Sequence, residues 1–159
     1  MKIWTVGTSN RSIEEFLHLL MAYKIEVIAD VRRFPTSRHR HFKQEVLKET
    51  LNRCGIEYNH IIELGGYRTG GYRQYMRTED FEKGLLRLEQ LATSRRVAIM
   101  CAELLFFRCH RRFIADALTE RGHTVIHIID EQRSYEHKRR NDKQKSLYEA
   151  IGDYSISEK

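Results

Sequence analysis

Short apolar runs alternate along this chain with longer segments in which apolar residues recur every three or four positions. The runs KIWTVG, EVIAD, IEYNHI, RVAIMC and TVIHII are too short for buried helices and read as strands. Between the first two, SIEEFLHLLMAYK sets Ile13, Phe16, Leu17, Leu20 and Met21 on one helical face, with Ser12 and Glu15 spaced as a capping box. QEVLKETLNRCG repeats the pattern with Val46, Leu47 and Leu51 and stops at Gly55, with Cys54 beside that cap reading as a small core residue. TEDFEKGLLRLEQLA opens on a Thr cap with acids in its first turn and aligns Phe81, Leu85 and Leu88. CHRRFIADALTERG reads as a helix ended by Gly122.

Strand and helix in alternation predict an α/β fold: a single domain over residues 1–130, with a mostly parallel sheet covered by helices on both faces. Its 159 residues suffice for one core and not for two ordinary domains. Residues 131–159 turn polar and basic and are expected to form a C-terminal extension with a peripheral helix. In such sheets ligands gather at the carboxyl ends of the strands, which selects Gly7–Arg11, Asp30–Arg40, Glu63–Tyr72, Cys101–Arg111 and His127–Asp130.

Charge sharpens this selection. The net charge is +6, and Arg32 to Lys43 contains no acid at all, so an anionic partner, a nucleic acid or nucleotide, is expected. A second basic cluster, HKRRNDKQK, follows near the C-terminus and reads as solvated surface. No apolar run approaches the roughly 20 residues that cross a bilayer. The start MKIWTVG lacks the features of a secretory leader, so a cytoplasmic protein without a membrane partner is expected. Three cysteines in a reducing compartment read as thiols.

Candidate chemistry lies in the strand-end loops. VGTSNRS, with Ser9, offers backbone N–H groups before a helix, without the spacing of a phosphate-binding or dinucleotide fingerprint, and no cofactor is expected. ADVRRFPTSRHRHF carries Asp30, which must be paired if buried, with Arg32 the natural partner. The same segment holds Ser37, Arg38 and Arg40 as anion ligands, displayed by a loop that Pro35 orients. In CAELLFFRCHRR, Cys101 ends a strand and reads as a small hydrophobe. Cys109 precedes a helix beside His110 and Arg111, surroundings that favour thiolate. Glu103 is a candidate acid or base. The eight-residue separation of the two cysteines matches no common zinc site, so no metal is expected.

The order TVGTSNRSIEEF, ADVRRFPTSRH, ELGG, YRQYM, RVAIMCAE, CHRRFIADAL and VIHI resembles the bacterial and archaeal "domain of unknown function 488" family over about Lys2 to Ile129. The resemblance implies an α/β domain in which Thr5, Gly7, Ser9, Asp30, Arg32, Pro35, Ser37, Cys101, Glu103, Cys109, His110 and Arg111 adjoin. The segment between ELGG and QYM is shorter here than in many relatives.

Three functions are compatible with these residues. In the leading one, an enzyme acts on a nucleic acid or nucleotide: Arg32, Arg38, Arg40 and Arg111 hold phosphate, Glu103 or Asp30 activates water, and Tyr67, Tyr72 or Tyr75 stacks on a base. In the second, a sulfurtransferase or phosphatase-like enzyme uses Cys109 or Cys101 as nucleophile. The third is a noncatalytic module that binds nucleic acid or protein through the basic loop.

Overall fold

The computed structural model describes residues 1–138. Five parallel strands, β1 (Lys2–Gly7), β2 (Val27–Asp30), β3 (Glu57–His60), β4 (Val97–Cys101) and β5 (Thr124–Ile128), form one sheet in the order β3-β2-β4-β1-β5. A sixth, β6 (Ser134–Glu136), closes the β5 edge antiparallel. The expected single α/β domain, with helices on both faces, is what the chain forms.

The helices divide by the direction in which the chain travels. α1 (Ile13–Ala22) and α2 (Gln44–Arg53) carry it outward from β1 to β3. They bury Phe16, Leu20, Leu47 and Leu51 with Trp4, Ile28 and Met100 on one sheet face. α4 (Glu79–Ala92) and α5 (Arg111–Glu120) carry it back through β4 to β5, burying Phe81, Leu85, Leu88 and Ile114 with Ile3, Val27 and Ile99 on the other. A reversal of direction moves helices to the opposite face because parallel crossovers are right-handed. α3 (Tyr72–Tyr75) is a single turn inside the glycine-rich loop.

Local signals act as read. Ser12 and Glu15 form both hydrogen bonds of the capping box, and the Thr78 hydroxyl accepts from Phe81 N. Three expectations differ. Met21 is 63% exposed and Leu19 takes the inward position, because the buried arc of α1 centres on Phe16 and Leu20. Cys54 is exposed: it is the C-cap residue of α2, where the chain turns out toward Gly55 at φ 76°. Beyond Asp130 the described chain continues the sheet instead of forming a helix. The Asp130 carboxylate accepts from Gln132 N and Arg133 N at 2.9 and 2.7 Å, which reverses the chain into β6. Of the second basic cluster only His137 and Lys138 are described, and His137 is buried. The remainder lies outside the described residues.

Candidate functional site

β1 sends its connection toward β2 and the neighbouring β4 sends its own toward β5, so the sheet's topological switch point lies between their carboxyl ends, where open α/β sheets bind ligands. The two loops leaving this point are joined: Thr8 N donates to Cys101 O at 2.9 Å and Ser9 N to Ala102 O at 2.8 Å. A Cβ on Gly7 would stand 2.0 Å from the Glu103 carbonyl oxygen, so glycine is required for this approach.

The apolar middle of CAELLFFRCHRR is the anchor that folds the segment back. Phe106 and Phe107 are buried in a turn of 3-10 helix spanning Phe106–Arg108, and Phe106 lies flat on His127 at 3.5 Å between ring centres. Cys109 thereby returns to Cys101, with 3.0 Å between the two sulfurs. At the start of α5, Arg111 donates to Cys109 Sγ from its main-chain N at 3.2 Å and from Nε at 3.4 Å. Its Nη2 reaches the carbonyls of Glu103 and Leu104, and its Nη1 donates to Thr5 Oγ1 at 3.2 Å.

These contacts divide the two thiols. Burial pushes Cys101 well up, so it keeps its proton. Burial also opposes ionisation of Cys109, but the S–H of Cys101, the Arg111 guanidinium and His110 outweigh it and hold Cys109 well below the ordinary thiol value. The pair is therefore a thiolate accepting from a thiol. Arg111 is held above its usual value: burial alone would lower it, and the facing sulfurs reverse the effect.

Behind Arg111 runs a chain of polar side chains on the α4–α5 face of the sheet. Thr5 stands opposite His127 in the β1–β5 register, and Thr5 Oγ1 lies 2.6 Å from His127 Nδ1. His127 Nε2 lies 2.8 Å from His137 Nδ1, and His137 Nε2 lies 2.7 Å from Asp116 Oδ1. Thr5, His127 and His137 are buried, whereas the Asp116 side chain is 32% exposed on α5. Burial, His137 and Arg111 together hold His127 well below the ordinary imidazole value, so it is neutral.

The remaining candidates separate into an internal group and a rim. Asp30 is fully buried: its oxygens accept from Arg32 N, Nε and Nη2 at 3.1, 2.9 and 2.7 Å and from the Tyr58 hydroxyl at 2.5 Å. Arg32 also donates to Phe42 O at 2.7 Å, so this pair ties the β2 loop to the sheet. Asp30 as water-activating base and Arg32 as phosphate ligand are corrected accordingly, since all their polar atoms face inward. Arg111, likewise turned inward, holds Cys109 instead of a phosphate. Tyr72 is 5% exposed and donates to Leu64 O, so it is a core residue and not a stacking platform. Tyr75 is half-buried and donates to Glu63 O.

His110 reaches Val31 O at 2.8 Å and packs on Tyr72, which joins the Cys109 turn to the β2 loop. Ser37 accepts from His39 N as a turn former, and Ser9 adopts φ 49° at the joined loops. Glu103 is half-buried at the mouth of the switch point. The rim holds Arg38 and Arg40, both exposed, with Tyr67 84% and Phe34 62% exposed. Arg33 links the two residues, donating to the Tyr67 main-chain carbonyl and lying 5.3 Å from the Phe34 ring centre.

Among the described residues no three His, Cys, Asp or Glu side chains are grouped to hold a metal ion, and no helix is long and apolar enough to cross a membrane. Sequence reasoning assigned no role to Phe34, His137 or Asp116, and none to Thr5 or His127 beyond their placement in family and strand-end segments. The strand register and the Asp130 turn, which bring these residues to the site, are invisible to local spacing.

Comparison with curated proteins and with solved structures finds no match. Residues 12–118, holding the Asp30 loop, the Cys101–Cys109 pair and Arg111, match the model described as "Domain of unknown function DUF488", and the chain belongs to that family.

Proposed function

We propose that the protein is a thiol-dependent enzyme with Cys109 as nucleophile and Cys101 as its exchange partner, acting on an electrophilic sulfur of a disulfide or persulfide. The observation that carries this reading is the 3.0 Å approach of the two sulfurs, with the Arg111 main-chain N and Nε both donating to Cys109 Sγ. Structural cysteines in apolar cores have no such cation and remain protonated.

The steps balance. Cys109 thiolate attacks one sulfur of R–S–S–R′, forming a Cys109–S–S–R mixed disulfide and releasing R′–S⁻. Cys101 then attacks Cys109 Sγ, its proton passing to the departing R–S group, which forms the Cys101–Cys109 disulfide and releases R–SH. The substrate disulfide is reduced and the protein pair oxidised. Closing from 3.0 Å to the roughly 2.0 Å of a disulfide needs only a small movement.

The test is exposure of the full chain to a small disulfide, with intact mass and peptide mapping. An intramolecular Cys101–Cys109 crosslink is expected, and in Cys101→Ser a stable adduct on Cys109. An unmodified pair beside a modified Cys54 overturns the reading.

A second reading, hydrolysis on a nucleic acid or nucleotide, is favoured by one arrangement: exposed Phe34 and Tyr67 linked through Arg33, with Arg38 and Arg40 exposed on the same loop as Phe34. Glu103 at the site mouth is its base. It requires salt-dependent binding of a single-stranded oligonucleotide that weakens in Tyr67→Ala, and cleavage lost in Glu103→Gln.

A further inference from the structure

A threonine hydroxyl 2.6 Å from an imidazole, backed by a second imidazole and a carboxylate, has the parts of a nucleophile and its base. Thr5 is fully buried, however, so no substrate reaches it. What does touch its oxygen is Arg111, the cation on the thiolate.

A set of proton positions with one hydrogen on each imidazole satisfies both ends of this chain. The Asp116 carboxyl oxygen accepts from His137 Nε2–H, and His137 Nδ1 then accepts from His127 Nε2–H. His127 is neutral, so its Nδ1 has a free lone pair and accepts the Thr5 O–H. The Thr5 lone pairs are then left for Arg111 Nη1–H. Every hydrogen points from Arg111 toward Asp116, and every buried donor and acceptor on the line is matched.

We infer that Thr5, His127, His137 and Asp116 are positioning residues for the Cys109 thiolate, a one-directional hydrogen-bond relay that turns the Arg111 guanidinium so that its Nε–H faces sulfur. This deepens the thiol reading and rests on it. A guanidinium is planar, so fixing Nη1 on Thr5 and Nη2 on the Glu103 and Leu104 carbonyls determines where Nε points. The stacking of Phe106 on His127 keeps the imidazole from turning over and ties the relay to the loop that carries Cys109. The relay also accounts for a neutral His127 beside a buried cation: a protonated His127 would donate to Thr5 and add a charge facing Arg111.

The experiment is the pH dependence of iodoacetamide alkylation of the full chain, each cysteine read by peptide mass spectrometry. Exposed Cys54 serves as the internal reference. In the native chain Cys109 is expected to reach its half-maximal rate at lower pH than Cys54. Thr5→Val, which removes the hydroxyl at equal volume, is expected to move that midpoint up and slow Cys109 about tenfold at pH below it, with Cys54 unchanged; Thr5→Ser restores it. A Cys109 midpoint equal to that of Cys54 in the native chain overturns the thiolate reading itself. A low native midpoint unmoved in folded Thr5→Val overturns the relay alone. Should Thr5→Val not fold, ¹⁵N NMR of the native histidines decides: both rings are expected as Nε2–H tautomers, and a hydrogen on His127 Nδ1 sinks the relay.

Discussion

Arg111 meets Cys109 twice, through its main-chain N–H at 3.2 Å and its Nε–H at 3.4 Å. The sulfur therefore accepts from the first main-chain N–H of α5 and pairs with a buried cation at once. Arg111→Lys keeps the charge but offers a point donor that cannot serve sulfur, Thr5 and two carbonyls together. The variant is expected to alkylate at Cys109 roughly tenfold more slowly near neutral pH and to lose about 3–5 kcal/mol of stability, the cost of breaking a buried charged network. Alkylation kinetics and denaturant unfolding measure the two effects separately, and native rates at Cys109 would show that Arg111 does not set its ionisation.

The Asp30–Arg32–Tyr58 group predicts the opposite division. Its oxygens and nitrogens face one another, and burial together with the Asp30 charge drives the Tyr58 hydroxyl far above its ordinary value, so it remains a donor. Tyr58→Phe leaves Asp30 with one hydrogen bond fewer and is expected to cost about 1.5–3 kcal/mol. The Cys109 alkylation profile should not change. A shifted profile would make Asp30 part of the reactive site.

What the sequence made legible follows from how locally each feature is specified. Strand runs, helical stripes, the Ser12 box and the Thr78 cap are short-range patterns, and they form as read apart from Met21, whose inward place on α1 Leu19 takes. The pairing of Asp30 with Arg32 was also legible, because a carboxylate ending a buried strand requires a partner close at hand. The contact of Cys101 with Cys109 was legible only as two ends of one segment; the burial of Phe106 and Phe107 is what folds them together. The relay was not legible. Thr5 and His127 are 122 positions apart and meet through a strand register, and His137 arrives by a turn that Asp130 builds.

Gly7 tests the joining of the two loops. Gly7→Ala would place its Cβ 2.0 Å from the Glu103 carbonyl oxygen, a backbone atom that cannot step aside alone. The loops must part, weakening the Thr8–Cys101 and Ser9–Ala102 hydrogen bonds and displacing a carbonyl that holds Arg111. A loss of about 1–3 kcal/mol is expected, as for overpacking a tight core. Slower disulfide formation between Cys101 and Cys109 should accompany it. Native stability in this variant would contradict the close approach.

Neutral His127 gives the fold an acid dependence of definite sign. Burial, His137 and Arg111 hold its folded value well below the ordinary imidazole range, whereas in the unfolded chain it protonates near about 6.5. Below that pH the unfolded state binds a proton that the folded state refuses, so stability falls as pH drops and is recovered above about 6.5. His127→Gln removes this contribution: it is expected to be less stable at neutral pH, having lost one ring nitrogen and the stacking with Phe106, yet to show a shallower decline between about pH 6.5 and 5. Unfolding midpoints across that interval, for the native chain and the variant side by side, measure the two slopes. Parallel slopes would mean that His127 takes up its proton in the folded state as readily as in the unfolded one, and the hydrogen-bond direction assigned from Arg111 to Asp116 would then have to be reversed.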